Sequence, residues 1–159
     1  MATADARLLA ELKTAVVATG GFAPVSRKEL SDAESAIGFA FPHLLRSVYL
    51  RVGAGWHPSR SHHLLGPRLA ADAYGQMHDG SRDAWVWPDK LLPIADWGCG
   101  ILACVDRGDD DDVVWWFDPS LDGAEPETRR QPWPSGVPLP MWLNGFVTGR
   151  EFNDKWPPP

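Results

Sequence analysis

Apolar side chains recur every three or four residues in the first third of the chain, a spacing that predicts amphipathic helices. Residues 5–18 form the first of these helices, and Gly20 ends it. Its apolar stripe consists of Leu8, Leu9, Leu12, Ala15 and Val16. Ser31 and Glu34 have the spacing of a capping box, in which each side chain bonds to the other residue's backbone N–H. We therefore expect a second, short helix that begins at Ser31 and ends at Gly38.

A third and a fourth helix follow. Pro42 suits the first position of the third helix, where its missing N–H donor costs nothing. The apolar stripe of this helix comprises Leu44, Leu45, Val48, Tyr49 and Val52. Gly53 and Gly55 end it. Residues 68–78 predict the fourth helix, interrupted by Gly75. One side of it carries Leu69, Ala73 and Met77.

The second half of the chain contains runs of strand-forming residues. Leu91–Ala95, Ile101–Asp106 and Val113–Asp118 are predicted strands, and the last two form a hairpin around an acidic turn. The third strand is apolar on both faces, so we expect helices to cover one face and either the chain itself or a partner to cover the other. Residues 118–138 predict a long loop or an irregular edge strand, and Leu139–Phe146 predicts a closing helix. The pattern predicts an α+β fold with N-terminal helices and a C-terminal helix packed against one antiparallel or mixed sheet.

Length and composition fit a single globular domain. Of the 159 residues, 44% are apolar and 23% are charged, which excludes a disordered chain. We assign one domain to residues 1–159, with a core at about 28–148 and a flexible tail at 156–159. The nine tryptophans are many for this length, and they can either pack in the core or anchor a partner at the surface.

The net charge of −6 favours basic partners and argues against nucleic acid and anionic membranes. We see no signal peptide and no membrane-spanning run, so we expect a cytoplasmic protein. Cys99 and Cys104 would point to opposite faces of one strand, so we expect two reduced, buried thiols and no disulfide.

The stretch from Leu30 to Trp56 resembles the signature of the SUKH superfamily of Smi/Knr-type proteins, in which an acidic residue, a glycine–aromatic pair, a proline step, an aromatic-bearing helix and a glycine-rich turn follow one another. The matching positions are Glu34, Ile37, Gly38, Pro42, Tyr49, Val52, Gly53, Gly55 and Trp56. Phe41 departs from the family's usual leucine. Leu91–Gly100 resembles the family's central strand step and Leu139–Phe146 its closing helix, so the resemblance spans about residues 28–148. It implies a protein-binding role, because bacterial members are commonly immunity proteins of toxin systems and eukaryotic members are regulatory scaffolds.

The sequence lacks the residue patterns of catalysis and metal binding. His57, His62 and His63 do not have the spacings of a zinc site and are expected to be polar loop residues. Cys99 lies in a glycine turn without the residues that define a nucleophile turn. The acidic turn lacks the alternating ligands and closing glutamate of a calcium loop. We therefore predict no catalytic residue, no metal and no cofactor.

The predicted partner-binding residues lie around the hairpin. The acidic turn consists of Asp109, Asp110, Asp111 and Asp112. It is either a solvated hairpin tip that discourages aggregation or a negative patch that steers a basic partner. Trp115 and Trp116 would be its aromatic anchors, together with Trp56, and Asp106 and Asp118 would extend the negative field.

Three hypotheses of function follow. The first is a non-catalytic protein-binding domain that resembles immunity proteins and neutralises a toxin by stoichiometric binding, for instance a basic toxin domain encoded nearby. The second is a regulatory scaffold or a small-ligand-binding module. The third is a small enzyme that uses Cys99 or the region of His57 and His62. We favour the first, and the sequence leaves the oligomeric state open.

Overall fold

A seven-stranded antiparallel sheet and five helices make up the part of the chain that the computed structural model describes, which comprises residues 3–56, 62–79, 87–107, 113–119 and 132–148. The helices are α1 (Ala4–Thr19), α2 (Arg27–Ile37), α3 (His43–Arg51), α4 (Pro67–Asp79) and α5 (Leu139–Thr148). The strands are β1 (Phe22–Ala23), β2 (Ala54–Trp56), β3 (His63–Leu64), β4 (Leu91–Asp96), β5 (Leu102–Asp106), β6 (Val113–Phe117) and β7 (Trp133–Pro138). Strand order in the sheet follows the order along the chain. The predicted α+β fold is confirmed, whereas the predicted tail at 156–159 lies outside the described residues.

Helix α1 carries the predicted apolar stripe and ends at Gly20 as expected. Leu9, Leu12 and Val16 are buried in the main core. The helix packs against α5, the last helix of the fold, and against α3. The first and last helices therefore cover each other's apolar faces.

Helix α2 begins earlier than the capping-box spacing predicted. Ser26 is its N-cap, and the Ser26 hydroxyl accepts a hydrogen bond from the backbone N–H of Glu29 at 3.1 Å. Ser31 lies inside the helix, so the predicted start at Ser31 is wrong. The sequence holds two successive Ser-x-x-Glu patterns, at residues 26–29 and 31–34, and the helix begins at the earlier one because nothing between them breaks a helix. The predicted end at Gly38 is confirmed, since Gly38 has the left-handed φ of 80°.

Helices α3 and α4 differ from the predictions in detail. Pro42 is the N-cap of α3 and not its first helical residue. Helix α4 runs through Gly75 without the predicted interruption. Its residues in the main core are Ala70 and Ala71, whereas Leu69, predicted on the packing side, exposes 41% of its surface. The apolar side of α4 is therefore wider than the stripe read from the sequence.

The sheet is covered on both faces. The face toward the helices contributes Leu64, Leu92, Ile94, Ala103, Val105, Val114, Trp116 and Val137 to the main core. The opposite face carries a smaller cluster formed by Trp87, Leu91, Leu102, Cys104 and Phe117, with Met77 and Trp115 packed against it. The Trp87 indole meets the Phe117 ring edge-to-face at 5.2 Å. The chain itself thus supplies part of the second cover that the doubly apolar strand β6 requires.

The predicted hairpin and edge strand are both present. Strands β5 and β6 pair antiparallel, with Leu102 opposite Phe117 and Val105 opposite Val114. Strand β7 closes this edge of the sheet, at the end of the predicted irregular segment 118–138. Residues 120–131 of that segment lie outside the described residues.

Candidate partner-binding site

One row of residues crosses four strands on the sheet face that the helical core does not cover. His63 is opposite Asp96, Asp96 is opposite Leu102, and Leu102 is opposite Phe117. Directly opposed residues of antiparallel strands lie on the same face, so the row extends over three strand spacings, about 14 Å. By its backbone register, Trp56 lies opposite His63 at the β2 end of this row.

Helix α4 runs beside this row and forms a groove with it. The α4 residues that line the groove are Leu69, Asp72, Ala73, Gln76 and Met77. Their spacing of i, i+3, i+4, i+7 and i+8 places them on one helical face. Leu102 and Phe117 line the sheet side, and the cavity measures about 520 Å³. We call this feature the α4–sheet groove; the residues Leu69, Ala73 and Met77, predicted as a packing stripe, are its wall.

Polar groups lie at the same groove. Asp72 comes from α4, and His63 and Asp96 come from neighbouring strands. The Oδ1 of Asp96 accepts the Gly98 N–H at 2.6 Å, which fixes the turn after β4. Burial lowers the pKa of His63, and the nearby carboxylate of Asp96 partly opposes this shift. His63 lies on strand β3, half-buried, and is not the loop residue that was predicted.

The predicted tryptophan anchors do not form one surface. Trp115 and Trp116 are consecutive residues of β6, so they point to opposite faces. Trp116 exposes only 8% of its surface and meets the Trp97 ring edge-to-face at 4.8 Å, within the main core. Trp115 is half-buried on the same face as Phe117, and its buried indole Nε1 has no hydrogen-bond partner among the residues that the structure describes. Trp56 is in β2, four strand spacings or about 19 Å away, and its side chain is not described.

The acidic residues of the predicted site have different positions. The acidic turn, Asp109 to Asp112, lies outside the described residues. Asp118 exposes only 6% of its surface, so the prediction that it extends an exposed negative field is wrong. Asp106 ends strand β5 and is half-buried.

The cysteines and the remaining histidines have separate environments. Cys104 is buried, and burial raises the pKa of its thiol well above the usual value, which keeps it protonated. Cys99 is exposed in the turn after β4, so the prediction of a buried thiol there is wrong. The ring of His62 packs on the Trp97 ring at 4.8 Å, and the Nε2 of His78 lies 3.1 Å from the Oδ1 of Asp89. His57 lies outside the described residues.

Among the described residues, no three His, Cys, Asp or Glu side chains converge in a way that could hold a metal ion. In the same part of the chain, no helix combines the length and the apolar character that crossing a membrane requires.

Glu34 connects the two helices of the N-terminal signature. Its Oε1 accepts the Phe41 N–H at 2.9 Å and lies 3.2 Å from the Nε of Arg46. The carboxylate therefore ties the end of α2 to the start of α3. Gly53 follows α3 with a φ of 109°, and a Cβ there would lie 2.2 Å from backbone atoms of Ala23. Only glycine permits this close approach to β1.

Glu34 and Gly53 lie within the span that a family profile matches. A profile of the SMI1 / KNR4 family (SUKH-1) matches residues 24–136. The chain belongs to this family. A search of the curated proteins finds no match to the chain. In this SUKH-1 domain, Glu34, Gly38 and Gly53 are explained by the fold, because each satisfies or permits a local backbone geometry.

The α4–sheet groove was missed by the sequence analysis. The spacing of its α4 residues was visible in part, since Leu69, Ala73 and Met77 were recognised as one face. The polar members Asp72 and Asp96 come from separate elements, and only the strand register brings the row of Asp96 next to α4.

Proposed function

We propose that this SUKH-1 domain is a non-catalytic protein-binding domain that neutralises a toxin by stoichiometric binding, as immunity proteins do. The observation that carries the proposal is the family match over residues 24–136, because SUKH proteins are commonly toxin immunity proteins. The net charge of −6 supports a basic partner, since opposite net charge accelerates encounter.

The proposed contact surface is the end of the β5–β6 hairpin. The acidic turn steers the partner, and Trp115 supplies an aromatic anchor on the face away from the helical core. Trp56 is a further proposed contact at the far side of the sheet. Trp116 supports this surface from beneath, because its ring is packed in the core.

The test is binding of the purified chain to the toxin domain encoded by a neighbouring gene. We expect a one-to-one complex, loss of toxin activity on binding, and an association rate that falls as salt rises. The double substitution Asp109→Lys and Asp111→Lys should lower the association rate at low salt by about tenfold and flatten its salt dependence.

A matched control separates the acidic turn from net charge. Glu11→Lys with Asp32→Lys makes the same change in net charge on helices α1 and α2, where both carboxylates belong to exposed ion pairs. If this control slows association as much as the turn variant does, the acidic turn has no special role. If the neighbouring toxin neither binds nor is inhibited, the immunity proposal fails.

A further inference from the structure

Helix α4 has two apolar faces, and the described residues of the chain cover only one of them fully. Ala70 and Ala71 are buried in the main core. On the groove face, Leu69 is 41% exposed, whereas Ala73 packs partly against the main core and Met77 packs partly against the smaller cluster on the opposite face of the sheet. Apolar residues at helical spacing on an open groove are typical of a surface that binds a partner.

The groove combines this apolar wall with negative charge. Asp72 and Asp96 both line it, and its described lining residues include no lysine or arginine. Among the described residues, Asp72 makes a long contact to Arg68, 3.9 Å between two exposed side chains, which leaves its carboxylate accessible. One carboxylate oxygen of Asp96 holds the Gly98 N–H, and the other has no partner among the described residues. His63 does not offset this charge at neutral pH, because burial favours its neutral form.

We infer that the α4–sheet groove is the docking site for a basic segment of the protein partner, with an arginine or lysine at Asp96 and Asp72 and an apolar side chain against Leu69 and the half-buried Met77. Arginine and lysine suit such a groove because their aliphatic stems lie on apolar surface while their charged ends reach a carboxylate. A volume of about 520 Å³ accommodates a few side chains and not a whole folded element. The inference rests on the proposed function, since it names how the partner is held.

The groove is continuous with the proposed contact surface but separable from it. Val113, Trp115 and Phe117 alternate along β6 on the same face, leading from the hairpin end to the groove. The two ends of this path are about 13 Å apart along the strand. A partner can therefore contact both, while substitutions at one end leave the other end unchanged.

The direct test uses the full chain and a probe independent of any toxin. An acetylated and amidated Leu-Arg-Leu tripeptide is titrated into the labelled protein, and backbone and side-chain NMR shifts are followed. We expect saturable shifts at Leu69, Asp96 and Phe117. We expect no such shifts with a Leu-Glu-Leu tripeptide, and much weaker ones with arginine amide alone.

Two groove variants and two matched controls locate the binding. Asp96→Asn removes the charge but keeps an oxygen that can accept the Gly98 N–H, and Leu69→Ser shortens an exposed side chain, so both should fold. Each should weaken tripeptide binding by about tenfold or more. Asp32→Asn and Val17→Ser make the same changes at exposed positions outside the groove and should leave binding unchanged.

Other outcomes overturn the inference. These are shifts confined to other regions, no shifts at the solubility limit of the peptide, equal binding of the acidic peptide, or arginine amide binding as well as the tripeptide, which would indicate a small-ligand pocket.

Binding of the groove and turn variants to the toxin distinguishes the two proposals. If the groove variants bind the toxin normally while the turn variant does not, the groove inference fails and the proposed function stands. If the peptide docks in the groove but no toxin is inhibited, the proposed function fails.

Discussion

Removing the Glu34 carboxylate should destabilise the domain far more than removing an exposed carboxylate. The Glu34 side chain is 16% exposed, and its Oε1 accepts the Phe41 N–H at 2.9 Å while pairing with Arg46 at 3.2 Å. A partly buried N–H left without an acceptor costs about 1–3 kcal/mol. The half-exposed ion pair adds at most about 1 kcal/mol. We therefore expect Glu34→Ala to lower the free energy of unfolding by about 2 kcal/mol, or the Tm by about 4–8 °C for a chain of this length.

Urea unfolding of four variants tests this reasoning. Asp32→Ala removes the exposed pair with Lys28 and should cost less than about 0.5 kcal/mol. Arg46→Ala removes only the ion pair and should cost less than about 1 kcal/mol. Glu34→Gln keeps an oxygen for the Phe41 N–H and should cost less than Glu34→Ala. The reasoning is refuted if Glu34→Ala costs no more than Asp32→Ala, or if Arg46→Ala costs as much as Glu34→Ala.

Three further predictions concern glycines, thiols and pH. Gly53→Ala should lower the free energy of unfolding by more than about 3 kcal/mol, because the added Cβ would overlap the backbone of β1 and Gly53 has a strained φ. Gly75 lies inside α4 with open space around it, so Gly75→Ala should raise the free energy of unfolding by about 0.5–1 kcal/mol in the same urea assay. A disulfide-exchange probe should titrate one thiol in the native chain, at Cys99, and two in denaturant, when Cys104 is exposed; two native thiols would contradict the fold. The pKa of His63 in the folded chain is below 6.5, so as the pH falls the unfolded chain binds a proton at this histidine before the folded chain does. The free energy of unfolding should therefore decrease as the pH drops below 6.5, with a slope under about 1.4 kcal/mol per pH unit. His63→Gln should flatten this slope, and an unchanged slope in that variant would rule out the assignment.

Local patterns predicted most of the regular structure. The stripes of α1 and α3 were predicted from helical periodicity, and the hairpin of β5 and β6 was predicted from two runs of strand-forming residues around a polar turn. Strand β1 was beyond this approach, since its two residues carry no detectable period. The prediction of the start of α2 failed for another reason. The sequence contains two equivalent capping patterns, and their local spacing does not show at which of them the helix begins.

The candidate site could not be predicted from any single helix or strand, because its residues come from several elements. Period-two alternation already implies that Trp115 and Trp116 face opposite sides of β6, so one face of the sheet can present only one of these two rings. The apolar face of α4 was seen, but periodicity does not tell whether the core or a groove covers a face. That Asp96 and Asp72 line the same groove depends on the strand order, which brings residues distant in sequence to one side of the sheet.

The packing of α1 on α5 has a consequence for the order of events during synthesis. The sheet adds its strands in the order in which the ribosome delivers them, but the first helix does not acquire its full cover until the last one has emerged. The nascent chain therefore presents the apolar side of α1, including Leu9 and Leu12, for most of translation. The apolar side of α1 becomes covered once α5 has been synthesised. A ribosome that stalls just before Leu139 should therefore leave a folding intermediate that binds chaperones.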